Sequence, residues 1–219
     1  MYAHRRDGIS GGQDVSKNRL EAFSDGVIAV AITLLALDLS VPGPGHGSLL
    51  SLVGDRWPEF AAYTVSFFLI GIIWVNHHAR FNLIAYVDRT LLFLNLVLLL
   101  FVVLIPFTTA TVAAYLTSDS TDSHTAMALY AVVLEGMALS FGAIFEWSLG
   151  EGRSTVQVPR SQRRQARIRT SIGEVVYVIV FVVAFISAPI ALAITGLTGI
   201  YYVFAPLPRV KEDLTGISE

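Results

Sequence analysis

"RLEAFSDGVIAVAITLLALDL", residues 19–39, joins a polar entrance to an apolar run. Arg19, Ser24 and Asp25 stand at its start, and over residues 26–37 only Thr33 carries a polar side chain. About 20 mostly apolar residues cross the hydrocarbon core of a bilayer as a helix. The stretch therefore reads as a membrane-spanning helix with a charged, hydroxylated beginning. Charge near such a helix is costly unless it is partnered, so the entrance and the apolar part need separate explanations.

The rest of the chain follows the same pattern. Of 219 residues, 54% are hydrophobic and 15% charged, and the mean hydropathy is +0.63. Soluble domains carry about 25% charged residues, so the composition indicates a polytopic, all-α membrane protein. The net charge of −2 offers no basic field for nucleic acid. The absence of cysteine excludes disulfides, thiolate metal sites and a cysteine nucleophile. Spans are expected near 20–39, 58–76, 90–116, 125–149, 168–187 and 188–205. Pro106 offers a kink in the third. The last two form one long apolar run, and Ser187-Ala188-Pro189 is the place for a tight turn between them. Residues 1–18 read as a disordered cytoplasmic tail, 19–206 as a six-helix transmembrane domain with a single repeat, and 207–219 as a second cytoplasmic tail.

Basic residues set the orientation. With the N-terminus inside, every one of the 15 Lys and Arg residues except Arg56 falls in a cytoplasmic segment. This supports six spans with both termini cytoplasmic; a five-span alternative would put Arg209 and Lys211 outside. The segment 150–169 reads as an arginine-rich loop, either a topology anchor or a contact for anionic lipid.

At about 100° per residue, Val30, Thr33, Leu34 and Leu37 share one arc of the first helix, and Phe23 and Gly26 continue it. Beside them runs a small-residue stripe, Ala22, Gly26, Ala29, Thr33 and Ala36, suited to close helix neighbours. Asp25 lies about 140° from Val30, so Ser24 and Asp25 are expected to bond to neighbouring helices. Arg19, His77 and His78 are candidate partners for Asp25. A second polar cluster, "WVNHHARF" at 74–81, closes the second span at the same membrane depth. Its histidines suit structural hydrogen bonding, proton transfer or, less well, a metal, since adjacent positions diverge by about 100° on a helix. Asn95 is expected to bond between helices. Glu146 and Glu174 sit near the cytoplasmic ends, where arginine pairing suits them, and Glu135 lies deeper. Asp38, at the outer mouth, either attracts cations or is solvated.

Arg19-x-x-x-Phe23-Ser24-Asp25 followed by "GVIAVAITLLALDL", together with "WVNHHARF" and "NLVLLLFVVLIPFTTA", resembles bacterial members of the transmembrane protein 175 family of potassium channels. The resemblance covers about 19–116; the later spans match in hydropathy. It implies six helices per repeat and, for a single repeat, a homotetramer whose first helix lines a central pore. It also implies that potassium is the permeant ion, in transit rather than structurally bound, with no cofactor and no enzymatic activity, and that the chain resides in the bacterial plasma membrane. Aliphatic rings would form the constriction, with Val30 at the isoleucine-type gate position, Leu34 and Leu37 as further layers, and Thr33 matching a threonine implicated in selectivity. Val30 is smaller than the usual residue, which leaves Leu34 or Leu37 as alternatives for the narrowest layer. Arg19, Phe23, Ser24, Asp25, Trp74, His77 and His78 form the implied signature network. Narrow aliphatic rings gate by dewetting, in agreement with that mapping. The competing reading is a proton channel or proton-coupled carrier using His77, His78 and Glu135.

Overall fold

The computed structural model describes residues 16–40, 42–43, 47–118, 120–155 and 160–204. The described residues form seven α-helices and no strand: α1 (Lys17–Leu34), α2 (Leu49–Asp55), α3 (Trp57–Phe81), α4 (Arg89–Tyr115), α5 (Thr121–Ser148), α6 (Arg160–Ala184) and α7 (Ala188–Phe204). Ser16 precedes α1 as its N-cap, and Lys17 and Asn18 already belong to it; residues 1–15 and 207–219 of the two expected tails lie outside the described residues.

Four of these helices, α1 with its continuation to Asp38, α3, α4 and α5, are long and apolar enough to cross a membrane. α7 is apolar but has only 17 residues, about 26 Å at 1.5 Å per residue. α6 and α7 are separated by a turn after Ala184, with Phe185, Ile186 and Ser187 bonding back to Val182 and Val183 carbonyls. The break falls where the sequence places it, because Pro189 enters at the first turn of α7 and cannot continue α6.

Two segments differ from the sequence reading. The expected arginine-rich loop is mostly helix: Arg160, Arg163, Arg164, Arg167 and Arg169 ride on the first turns of α6, and Arg153 alone of that group remains in the connection. Arginine is a good helix former, so the helix runs on after hydropathy has fallen. The connection after the first span also contains a helix, α2, started by Ser48, whose Oγ accepts from the Ser51 amide at 3.3 Å. Leu49 and Leu50 on it are exposed, as suits a short helix lying at a membrane surface.

The core centres on α4, which packs on α5, α3 and α1. α6 packs on α5 and α7, and α7 returns to α3. α1 therefore sits at the edge, held by α3 and α4 alone among its larger contacts. Buried hydroxyls tie the centre together: Ser66 Oγ lies 2.7 Å from both Thr109 Oγ1 and Tyr130 Oη, linking α3, α4 and α5. In hydrocarbon such groups have no water to turn to and must satisfy one another. At one end of the bundle, the α3–α4 and α5–α6 connections form an isolated bridge between Ile84 and Ser154, with the Ala85 amide donating to Arg153 O at 2.9 Å. Gly152, at φ +70°, makes the turn that brings this stretch back.

The α4–α5 contact is tight at Gly136, where an added methyl would overlap the Phe101 ring. Gly136→Ala is expected to cost about 1–3 kcal/mol through overpacking, measured as a lower unfolding temperature in detergent. Adding Phe101→Ala should recover part of the loss, because the two sites couple; equal losses with and without the ring would show that the contact is slack.

Candidate functional site

The inward side of α1 is set by Leu20, Ser24, Ile28, Ala31 and, in the following 3-10 turn, Leu35, all buried. Their spacing of three and four is one face of a helix. Ser24 is fully buried. Its Oγ donates to Leu20 O at 2.9 Å and accepts from Asn95 Nδ2 at 2.9 Å. Asn95, also fully buried, turns its Oδ1 to His77 Nε2 at 2.8 Å. Since the Asn95 carbonyl oxygen accepts, His77 donates from Nε2. The His77 ring stacks on Phe81 with centroids 4.0 Å apart. Ser24 on α1, Asn95 on α4 and His77 on α3 thus form one chain of hydrogen bonds across three helices.

Asp25 also bonds away from the aliphatic arc, but to a different partner from those expected. Trp74 Nε1 donates to Asp25 Oδ1 at 2.9 Å. His77 is committed to Asn95, His78 is exposed beside the Trp74 ring, and Arg19 is exposed. The adjacent histidines are split by helix geometry: one points into the bundle, the other out. The residue that sequence reasoning placed in the cluster without a role, Trp74, holds the carboxylate. Its position one helical turn before His77 and His78 is the signal that could have identified it.

The other side of α1 is uncovered. Phe23 is 52% exposed, Val30 56%, Leu34 38% and Leu37 74%, and Thr33 and Asp38 are exposed as well. The small residues Ala22, Gly26, Ala29 and Ala36 share this exposure, and a Cβ added at Gly26 would meet nothing within 4 Å. Among the described residues, the close approach these positions permit is therefore not made by another helix. Beyond Leu34 the helix tightens to a 3-10 turn, Leu35–Asp38. Leu37 lies within this tighter turn, three residues beyond Leu34. Thr33 Oγ1 donates to Val30 O at 2.8 Å, which leaves the oxygen lone pairs facing outward beside the aliphatic row.

Of the other intramembrane acids, Glu146 is held by Arg167, whose Nε donates to Oε1 at 2.6 Å. Glu135 is half-buried on α5, with Oε2 buried and without a hydrogen-bond partner; it does not join His77.

A family model described as "Endosomal/lysosomal potassium channel TMEM175" matches residues 19–106, the segment that carries both polar clusters and the uncovered face. A protein of Streptomyces collinus named as a potassium channel is 47% identical over 193 residues, 87% of this chain and 93% of that protein. Another, of Chamaesiphon minutus, is 33% identical over 190 residues, 84% of this chain and 92% of that one. The crystal structure of a lysosomal potassium-selective channel TMEM175 homolog from Chamaesiphon minutus matches with a TM-score of 0.76 at 31% identity, covering 85% of this chain and 96% of the other. These relatives are channels, not enzymes. In sequence and in its helical fold, this membrane protein belongs to the TMEM175 family.

Proposed function

We propose that the chain is a potassium-permeable channel in which four copies bring their α1 helices to a central axis. The observation that carries this reading is the uncovered face of α1: Val30, Thr33, Leu34 and Leu37 are exposed together, while Ser24, Asp25 and Asn95 bond on other sides of the helix. A helix that places its small residues outward is prepared for close neighbours of its own kind. The relatives' naming as potassium channels supports potassium as the permeant ion. Rings of Val30, Leu34 and Leu37 form the hydrophobic constriction. The Thr33 hydroxyls, with lone pairs free of the Val30 bond, offer a cation oxygen ligands between the aliphatic layers. Asp38 ends the helix at the outer mouth, where four carboxylates raise the local cation concentration.

The proposed membrane topology has six spans with both termini cytoplasmic, α6 and α7 forming the last two, in the bacterial plasma membrane. The bridge between Ile84 and Ser154 supports it by joining two connections that the basic residues assign to the same side. The signature network acts as a latch: Ser24, Asn95 and His77, with Asp25 and Trp74, hold α1 in one rotation so that its aliphatic row faces the axis. His77 has its Nε2 proton engaged within this ladder, away from the exposed face, which supports a structural role over proton carriage.

Replacing Leu34 or Leu37 by Ala is expected to raise potassium flux into liposomes several-fold, and Val30→Ala to do so if that layer is narrowest; unchanged flux in all three would remove the gate from this helix. Because the chain has no cysteine, single cysteines report proximity without background. Ala29→Cys should form disulfide-linked dimers on oxidation, since disulfides require Cα atoms within about 7 Å, whereas Leu100→Cys on the exposed side of α4 should not. Dimers from both or from neither would contradict the assembly. Asn95→Leu removes the shared partner of Ser24 and His77, and a loss of about 1–2 kcal/mol is expected. It should be accompanied by altered potassium selectivity; lower stability with normal conduction would separate the latch from the pore.

A further inference from the structure

Between α3, α5, α6 and α7 lies a cavity of about 100 Å³, well above the roughly 10–15 Å³ one water requires. It is two-sided. Leu69, Met137 and Phe141 form an apolar upper wall; Arg80, Arg169 and Tyr202 form the wall at the arginine-rich end of the bundle. Among the described residues no carboxylate lines it. Arg80 is the unusual member. Its Nε is buried and has no hydrogen-bond partner, and among the described residues it enters no ion pair. Phe145 covers the guanidinium face at 4.3 Å, which attracts the charge but supplies no acceptor for its N–H groups. Arg169 stands over the Tyr202 ring at 5.6 Å, and Tyr202 Oη donates to Arg169 O at 2.9 Å, fixing α7 against α6 at the cavity wall.

A charged group whose buried N–H lacks both an acceptor and a counter-charge is costly, and a cationic wall below an apolar one matches an amphiphilic anion. Basic pockets between membrane helices take phosphate headgroups, and arginine binds phosphate through parallel N–H donors. We infer that this cavity binds a phosphate-bearing anion at Arg80 and Arg169, supplied either as a phospholipid headgroup with its chain along Leu69, Met137 and Phe141 or as free phosphate. The site is separate from the uncovered face of α1 and stands whether or not that face lines a pore.

The test uses the purified full chain, reconstituted into vesicles of equal parts phosphatidylglycerol and phosphatidylcholine, re-extracted and weighed by native mass spectrometry. The wild-type chain should retain phosphatidylglycerol. Arg80→Gln and Arg169→Gln should each lower retention about tenfold, as expected for loss of a charge-assisted hydrogen bond. Arg164→Gln, at an exposed arginine of α6, should leave it unchanged, and Arg80→Lys should restore much of it. If Arg80→Gln does not fold, Arg169→Gln carries the same comparison. A parallel titration with inorganic phosphate, read by the unfolding temperature, distinguishes the sources. A rise abolished by the same substitutions, without lipid retention, assigns the site to free phosphate. Equal retention and equal temperature shifts in wild type, Arg80→Gln and Arg169→Gln would overturn the inference.

Discussion

The hydrogen-bond ladder from Ser24 through Asn95 to His77 is the constraint on which the rest of the arrangement turns. A buried serine, an amide and an imidazole need partners in a membrane interior, and here the three bond to one another. That geometry fixes the rotation of α1 against α3 and α4. Once Ser24 points inward, Leu20, Ile28, Ala31 and Leu35 follow it into the core by helical spacing. Val30, Thr33, Leu34 and Leu37 are then left outside. The exposed face is a consequence of where the polar side chains find partners, more than of any property of the aliphatic residues themselves.

The same logic of local satisfaction recurs through the bundle. Ser66, Thr109 and Tyr130 form a closed trio at the junction of α3, α4 and α5. Glu146 is neutralised by Arg167 across the α5–α6 contact. Asp25 is taken by Trp74, a neutral donor, so the carboxylate remains held without a charged partner beside it. Against this background the exceptions stand out among the described residues: Glu21 Oε1, Arg80 Nε, Glu135 Oε2 and Trp147 Nε1 are buried without a hydrogen-bond partner. One of them, Arg80, borders a cavity, and an unsatisfied buried group calls for a partner.

Peripheral placement of α1 has a functional corollary in the proposed channel. A helix held by two neighbours on one side only can present its opposite side to other copies without rearranging the core. The 3-10 turn Leu35–Asp38 tightens the end of the helix that carries Leu37. The rigid ladder below and the tightened turn above together hold the row between them.

Much of this was legible in the chain itself. Hydropathy and length located the four helices that are long and apolar enough to cross a membrane, and the shorter apolar α7, because a bilayer requires about 20 apolar residues of a spanning helix. The period of 3.6 separated Asp25 from Val30, and the buried amide at Asn95 was recognisable as an interhelical bond. Other features required the folded molecule. The partner of Asp25 is Trp74 because α1 and α3 meet with that register, and register is a matter of packing that no single helix encodes. The arginines of 160–169 are helical because propensity continues where hydropathy stops. Which of two adjacent histidines turns inward depends on which helix offers an acceptor. The residues of α1 determine that it has two unlike faces; only the tertiary contacts decide which face is spent on the chain's own core, because Ser24 bonds to Leu20 within its own helix but finds its second partner, Asn95, only on α4.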